Sequence, residues 1–163
     1  MNAIELLKAD HASVQALFRQ YEAAENQPQQ QRALAEQIYT ELEVHAALEE
    51  ELFYPAVRAQ LGPVTVEDEP AEAAGEDGEA DLVAEALEEH QEVKTLIATL
   101  RGLEPGDAQF QAAFAELREG VEEHVGVEED ELMPAVAATL GGELERLGQQ
   151  LEERKGQLMA GQA

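Results

Sequence analysis

Residues 45–57 read HAALEEELFYPAV, and residues 124–136 read HVGVEEDELMPAV. The histidine, the paired glutamates and the closing Pro-Ala-Val recur at a constant offset of 79 residues. The two remaining histidines, His11 and His90, obey the same offset, and each has valine three and leucine six residues after it. All four histidines therefore lie on one duplicated frame, in which a histidine is followed 34 residues later by His-x-x-x-Glu.

The composition favours one helical domain. A length of 163 residues is typical of a single domain with a real core. Alanine and leucine dominate the apolar residues, and glutamate and glutamine are plentiful, which favours helix. Cysteine is absent, so disulfides and thiolate metal sites are excluded.

The charge and hydropathy of the sequence limit the classes of partner that we expect. The net charge of −26 repels phosphate backbones, so we expect no nucleic-acid partner. No charged and then apolar leader opens the chain, and no apolar run approaches the roughly 18 residues of a membrane span. The sequence therefore predicts a cytoplasmic protein with no membrane partner.

Apolar spacing predicts four long helices in two duplicated hairpins, each helix with one histidine on its inward stripe. Repeat one is expected at about 1–61 and repeat two at about 81–140, joined by an acidic connector at 62–80. A short helix at about 143–158 is expected either to cover the bundle, which its single leucine stripe favours, or to bind a partner. The predicted fold is all-α: a single-domain, antiparallel, up-down four-helix bundle with a C-terminal helix.

Two glutamates share the inward stripes. Four residues advance a helix by about 400°, so Glu49 lies about 40° round from His45, and Glu128 stands in the same relation to His124. Glu50 lies about 140° away and is expected to point elsewhere unless the helix is distorted. Pro55 is expected to bend its helix one turn beyond Glu49.

The inward polar side chains predict a metal centre. A single buried histidine is ordinarily a core residue with a hydrogen bond, but unpaired buried carboxylates are strongly unfavourable, and no inward lysine or arginine is expected at their level. Imidazoles and carboxylates suit iron, zinc or manganese, and six ligands divide naturally between two metal ions. One position on each ion would stay open to water, dioxygen, peroxide or nitric oxide. The candidate ligands are His11, His45, Glu49, His90, His124 and Glu128.

These motifs resemble the hemerythrin-like, HHE cation-binding domain family over about residues 4–137. The resemblance implies a non-heme diiron centre, oxo- or hydroxo-bridged, within an up-down four-helix bundle. It also implies that Glu49 and one of Glu128 or Glu129 bridge the irons, because oxygen-carrying hemerythrins place the last carboxylate five residues after its histidine. Those carriers have a second histidine where this chain has Lys94, which puts reversible oxygen carriage in doubt.

Three further residues have open roles. Lys94 is expected to be solvated rather than to reach toward the site. Tyr54, nine residues beyond His45, should face away in an ideal helix, so packing is favoured over a phenolate ligand. Glu131 lies on the inward stripe beyond Glu128, either as an extra ligand or, preferably, solvated near a helix end.

Three functions are compatible with this pattern. The favoured one is a diiron protein that binds dioxygen, peroxide or nitric oxide. The second is an enzyme that consumes peroxide or oxidises ferrous iron. The third is an iron-homeostasis or structural bundle in which a metal such as zinc holds the fold.

Overall fold

The computed structural model describes residues 1–64 and 81–162 of the chain. The acidic connector predicted at 62–80 lies outside the described residues from residue 65 onward. Within the described ranges the regular structure is helical throughout. Its α-helices are α1 (Ala3–Ala23), α2 (Pro28–Leu48), α3 (Tyr54–Leu61), α4 (Leu82–Arg101), α5 (Ala108–Val127), α6 (Met133–Leu140) and α7 (Glu143–Ala160).

Local signals in the sequence set the starts of the helices. Asn2 and Glu5 form the predicted capping box of α1, in which each side chain accepts a hydrogen bond from the other's backbone N–H. Pro28 opens α2, where its missing N–H has no consequence. The Asp81 carboxylate caps α4 by accepting from the Val83 N–H at 3.1 Å.

A π-helical turn interrupts each His-x-x-x-Glu helix. The first π-turn (Glu49–Phe53) joins α2 to α3, and the second π-turn (Glu128–Leu132) joins α5 to α6. The proline after each turn explains it, because Pro55 has no N–H and its ring would clash with the Glu51 carbonyl in an α-helix. The N–H of Tyr54 instead donates to the Glu49 carbonyl, five residues earlier. The helices therefore widen where the sequence predicts a bend.

The two hairpins form a four-helix bundle. Helix α1 packs on α2, α4 packs on α5, and α3 contacts α6 across the two halves. Buried apolar residues form two clusters, one around Leu7, Phe53 and Met133 and the other around Phe18 and Leu117. The histidines lie in the polar layer between these clusters, since His11 falls between Leu7 and Val14 on α1. The predicted bundle with a C-terminal helix is confirmed.

Helix α7 covers one end of the bundle. It packs against α1 and α2, and Leu144, Leu147 and Leu151 are buried in the apolar cluster around Leu7. Gly148 permits this approach, since a Cβ there would lie only 2.3 Å from the Met1 carbonyl oxygen. The preferred prediction for this helix, a cover over the bundle, agrees with this packing.

Among the described residues, the helices are too short or too polar to cross a membrane.

Candidate metal centre

The structure brings all six candidate ligands into one buried layer. The histidines come from α1, α2, α4 and α5, and the two glutamates are the first residues of the two π-turns. Glu49 is fully buried, and Glu128 is 2% exposed. The interior of the bundle thus holds four imidazoles and two carboxylates at one level.

These side chains form two donor groups that could each hold a metal ion. The first donor group is His11, His45 and Glu128, and the second donor group is Glu49, His90 and His124. Within each group, one nitrogen or oxygen atom from every residue lies within 4.8 Å of the others. All six residues are buried.

The carboxylates connect the two donor groups. Glu49 Oε1 lies 3.1 Å from His45 Nε2, 3.2 Å from His90 Nε2 and 3.8 Å from His124 Nε2. Glu128 places Oε1 3.4 Å from His11 Nε2 and Oε2 3.2 Å from His124 Nε2. Each carboxylate therefore faces imidazoles of both groups, which is the position that a bridging ligand requires.

Several of these inward atoms have no hydrogen-bond partner. Both oxygens of Glu49, Glu128 Oε1 and His124 Nε2 are buried without one. Within the described part of the chain, no lysine or arginine nitrogen lies within 4 Å of either glutamate. Orphaned acceptors of this kind are strongly unfavourable in an apolar core, so the donor set fits metal ions that would occupy the layer.

Without metal, an ion pair between a protonated imidazole and a carboxylate stabilises the layer. Burial acts to lower the pKa of His45, but the charge of Glu49 and the hydrogen bond to Asp10 outweigh it and raise this pKa to about 10. Burial acts to raise the pKa of Glu49, but the positive charge of His45 outweighs it and lowers this pKa well below its ordinary value. The His45–Glu49 pair is therefore ionised in the metal-free protein.

An outer acid meets the Nδ1 atom of every imidazole. Asp10 Oδ2 lies 3.1 Å from His45, Glu50 Oε2 3.2 Å from His90, Glu129 Oε1 3.5 Å from His11 and Glu89 Oε1 3.6 Å from His124. The contacts of Asp10 and Glu50 are hydrogen bonds, whereas His11 Nδ1 has no hydrogen-bond partner among the described residues. Metal-binding histidines commonly donate the far ring N–H to a carboxylate, which fixes the ring and raises the basicity of the ligating nitrogen. We call Asp10, Glu50, Glu89 and Glu129 the outer acids.

The outer acids include two residues that the sequence analysis placed differently. Glu50 was expected to point away from the site unless the helix is distorted, and the first π-turn is such a distortion, with Glu50 Oε2 3.2 Å from His90 Nδ1. Glu129 was an alternative to Glu128 as the bridging acid. The structure places Glu128 among the Nε2 atoms and Glu129 beside His11 Nδ1.

Tyr54 faces the site, contrary to its sequence-based prediction. Its hydroxyl donates to Glu128 Oε2 at 2.8 Å and lies 3.4 Å from His90 Nε2. Because the π-turn accommodates one additional residue, Tyr54 takes the direction of an offset of eight from His45, about 80° instead of 180°. Burial, together with the charges of Glu49 and Glu128, raises the pKa of Tyr54 well above its ordinary value, so the phenol stays protonated and donates.

The two other open residues have clear environments. Lys94 is not simply solvated, since its Nζ binds Glu50 Oε1 at 2.9 Å and Glu50 Oε2 at 3.0 Å. Glu131 is exposed within the second π-turn, in agreement with the preferred prediction that it is solvated.

Sequence reasoning missed the outer acids as a set, although a signal for them exists. Asp10 and Glu89 are related by the 79-residue offset, and so are Glu50 and Glu129. An acid that recurs beside a recurring histidine is a candidate for orienting it. Lys155 of α7, which binds Asp10 Oδ1 at 2.5 Å, lies outside the duplicated frame and carries no comparable signal.

A small cavity adjoins the imidazoles. Its volume is about 40 Å³, and its walls include the four histidines and the apolar side chains of Val14, Ile97 and Val125. A cavity needs at least about 10–15 Å³ in this measure to hold one water. The space is therefore sufficient for a small ligand, and its walls also include Asp10, Glu43, Glu89 and Lys94.

The comparisons with known proteins agree with this geometry. The family model described as "Hemerythrin HHE cation binding domain" matches residues 2–136. A protein of Nostoc sp. named "DNA nickase" is 30% identical over 143 residues, which are 88% of this chain but only 36% of that protein. An uncharacterised protein of Mycobacterium tuberculosis is 27% identical over 160 residues, covering 97% of this chain and 88% of the other.

A solved structure shares the fold. It is the crystal structure of a hemerythrin HHE cation-binding domain-containing protein from Mycobacterium kansasii, and it superposes with a TM-score of 0.78 at 24% identity. The match covers 99% of this chain and 89% of the other.

Proposed function

The chain belongs to the hemerythrin HHE cation-binding domain family, and we propose that it is a non-heme diiron protein that binds a small ligand such as dioxygen, peroxide or nitric oxide. The observation that carries the proposal is the pair of donor groups joined by Glu49 and Glu128, whose inward oxygens have no hydrogen-bond partner. Two iron ions would supply the open coordination positions and the redox chemistry.

The chain's own residues would define each ion's surroundings. His11 and His45 would hold one ion, His90 and His124 the other, and Glu49 and Glu128 would bridge them. Asp10 and Glu50 would fix the rings of His45 and His90 with Nε2 inward, through hydrogen bonds to their Nδ1 atoms. All these ligands lie on helices within one duplicated domain, which limits their movement when a ligand enters.

The cavity beside the imidazoles supports a small ligand. Its volume of about 40 Å³ is sufficient for a diatomic molecule or peroxide. Its valine and isoleucine walls limit water access, which favours an uncharged or weakly solvated ligand. Tyr54 is not among the walls of this cavity, and its hydroxyl donates to Glu128.

An anaerobic titration with ferrous iron, followed by elemental analysis of the desalted protein, tests the proposal. We expect two iron ions per chain and, after oxidation, near-ultraviolet charge-transfer absorption. His124→Ala should lose iron, and Glu131→Gln, a change at an exposed acid of the same segment, should retain it. Full iron content in His124→Ala would exclude the ligand assignment.

Peroxide distinguishes binding from turnover. A stable spectral change on adding peroxide to the ferric protein supports binding, whereas rapid dioxygen evolution supports the alternative of a peroxide-consuming enzyme. Stoichiometric zinc in place of iron, with no colour, would support the structural alternative.

A further inference from the structure

The outer acids fall into two classes according to whether a lysine contacts them. Lys155 Nζ lies 2.5 Å from Asp10 Oδ1, while Asp10 Oδ2 faces His45. Lys94 Nζ contacts both oxygens of Glu50, whose Oε2 faces His90. For Glu89 and Glu129, no lysine or arginine nitrogen of the described residues lies within 4 Å.

This division is shared equally between the two donor groups. In the first donor group, the acid beside His45 contacts a lysine (a lysine-backed acid), and the acid beside His11 does not (a bare acid). In the second donor group, the acid beside His90 contacts a lysine and the acid beside His124 does not. The lysine-backed acids lie 3.1 and 3.2 Å from their imidazoles, and the bare acids lie at 3.5 and 3.6 Å. Each lysine therefore accompanies the closer contact between acid and ring.

A lysine in this position has a definite electrostatic effect. A carboxylate that accepts the imidazole N–H makes the opposite nitrogen a stronger electron donor. A neighbouring ammonium group draws negative charge from the carboxylate and so weakens this effect. Asp10 is only 8% exposed, so solvent screens the Lys155 charge less at this acid than at a surface carboxylate, although the Lys155 side chain itself is 40% exposed.

We propose that Lys155 and Lys94 are positioning residues that act through Asp10 and Glu50, where their positive charge lowers the donor strength of the His45 and His90 imidazoles. The inference rests on the proposed diiron function and assigns to α7 a role beyond covering the bundle. Without either lysine, the acid becomes a stronger acceptor, the ring a stronger donor and ferric iron more stable. The reduction potential of the adjacent ion should then fall.

Arg154 provides a matched control on the same helix. Its guanidinium binds Glu51 with two contacts, at 2.7 and 3.2 Å, and so also ties α7 to the bundle. Glu51 is exposed, and it contacts none of the imidazoles in the described residues. Loss of Arg154 therefore removes one contact between α7 and the bundle and one positive charge, while Asp10 keeps its contact with Lys155.

The experiment is a spectroelectrochemical titration of the iron-loaded protein, with iron content measured first for every variant. We expect Lys155→Met and Lys94→Met each to lower the midpoint potential of the adjacent ion by at least about 59 mV. For a one-electron step, this shift corresponds to a tenfold change in the equilibrium constant between ferric and ferrous iron. Lys155→Arg should restore most of the potential, and Arg154→Met should leave it unchanged. Release of iron to a chelator, measured in the same samples, covers any variant that binds iron too weakly for titration.

The outcomes separate this inference from the proposed function. Wild-type protein that takes up no iron pair overturns the proposed function itself. With two irons bound, an unchanged potential in both Lys155→Met and Lys94→Met overturns the role of the lysines. Equal effects of Lys155→Met and Arg154→Met, on potential or on iron release, would show that docking of α7 alone matters and would also overturn it.

Discussion

At the scale of single residues, each imidazole of the layer lies between an inward and an outward acid group. His45, for example, has Glu49 3.1 Å from Nε2 and Asp10 3.1 Å from Nδ1. Without metal, a proton on the imidazole partly offsets the negative charge of both carboxylates, and a metal ion can replace that proton on the inner side. The protonation of the layer and its metal affinity are therefore linked.

Removing the Tyr54 hydroxyl tests its role as a donor. Tyr54→Phe leaves Glu128 Oε2 without the phenol at 2.8 Å, and loss of a buried hydrogen bond to a charged group lowers the free energy of unfolding by about 1–3 kcal/mol. We expect this loss in urea unfolding of the metal-free protein, with the iron stoichiometry retained. Tyr39→Phe is the control, since the buried Tyr39 hydroxyl has no partner and its removal should not destabilise. Equal losses in both variants would contradict the assignment.

The pH dependence of the metal-free protein follows from His45. Its folded-state pKa of about 10 exceeds the ordinary value of 6.5, so its contribution to stability is complete below about pH 6.5 and is lost as the pH rises through about 10. At about 1.4 kcal/mol per unit of pKa difference, the loss amounts to a few kcal/mol. Urea unfolding between pH 6 and pH 10.5 measures it.

His45→Gln is the reference for this experiment. The variant cannot carry the proton, so the difference in unfolding free energy between wild type and variant should shrink across that pH range. A difference that stays constant from pH 6 to pH 10.5 would contradict a raised His45 pKa.

At the scale of secondary structure, the sequence predicts the α-helices well but does not predict the π-turns that interrupt two of them. The apolar stripes, Asn2, Pro28 and Asp81 place the helices because caps and periodicity are local signals. The same 100° periodicity brings His45, Glu49, His124 and Glu128 together. The positions of these ligands can therefore be predicted from the sequence up to the residue where α2 or α5 ends and the π-turn begins.

Beyond that point the prediction fails for a physical reason. Pro55 signals a disturbance, but a bend and a π-turn are both compatible with a proline, and only the π-turn rotates Glu50 and Tyr54 into the site. The contact between Lys155 and Asp10 joins residues 145 positions apart through the docking of α7, which no local pattern specifies. Tertiary packing decides these contacts.

The docking of α7 on α1 depends on Gly148. A methyl group there would lie 2.3 Å from the Met1 carbonyl and 2.8 Å from Asn2 backbone carbon, so Gly148→Ala should displace the helix and lower stability by about 1–3 kcal/mol. Gly156→Ala is the matched control on the same helix, because a Cβ there meets nothing within 4 Å and alanine favours helix by about 1 kcal/mol.

Thermal unfolding of both variants measures this difference. We expect a lower melting temperature for Gly148→Ala and an equal or higher one for Gly156→Ala. A stable Gly148→Ala would show that the close approach of α7 to α1 is absent.

At the scale of the whole molecule, the dominant property is negative charge. The chain carries 36 acidic against 10 basic residues, a net charge of −26. Such a surface favours approach of cations and opposes approach of polyanions. It also provides many exposed carboxylates that bind metal ions weakly, so a metal count alone is not sufficient evidence for the central layer.

The charge also predicts the behaviour of the chain toward DNA. One relative is named for nicking DNA, but this chain spans only 36% of that protein. Because a net charge of −26 repels the phosphate backbone, we expect no binding to a fluorescent DNA duplex in anisotropy measurements at 50 mM or 200 mM salt. Binding that weakens steeply between these salt concentrations would reveal a basic surface that the described structure does not show.

The most direct test of the central claim is anomalous diffraction at the iron edge from crystals of the iron-loaded protein. We expect two adjacent peaks inside the bundle, one against the Nε2 atoms of His11 and His45 and the other against those of His90 and His124, with Glu49 and Glu128 between them. Peaks only at surface acids, or a single peak in the layer, would contradict it.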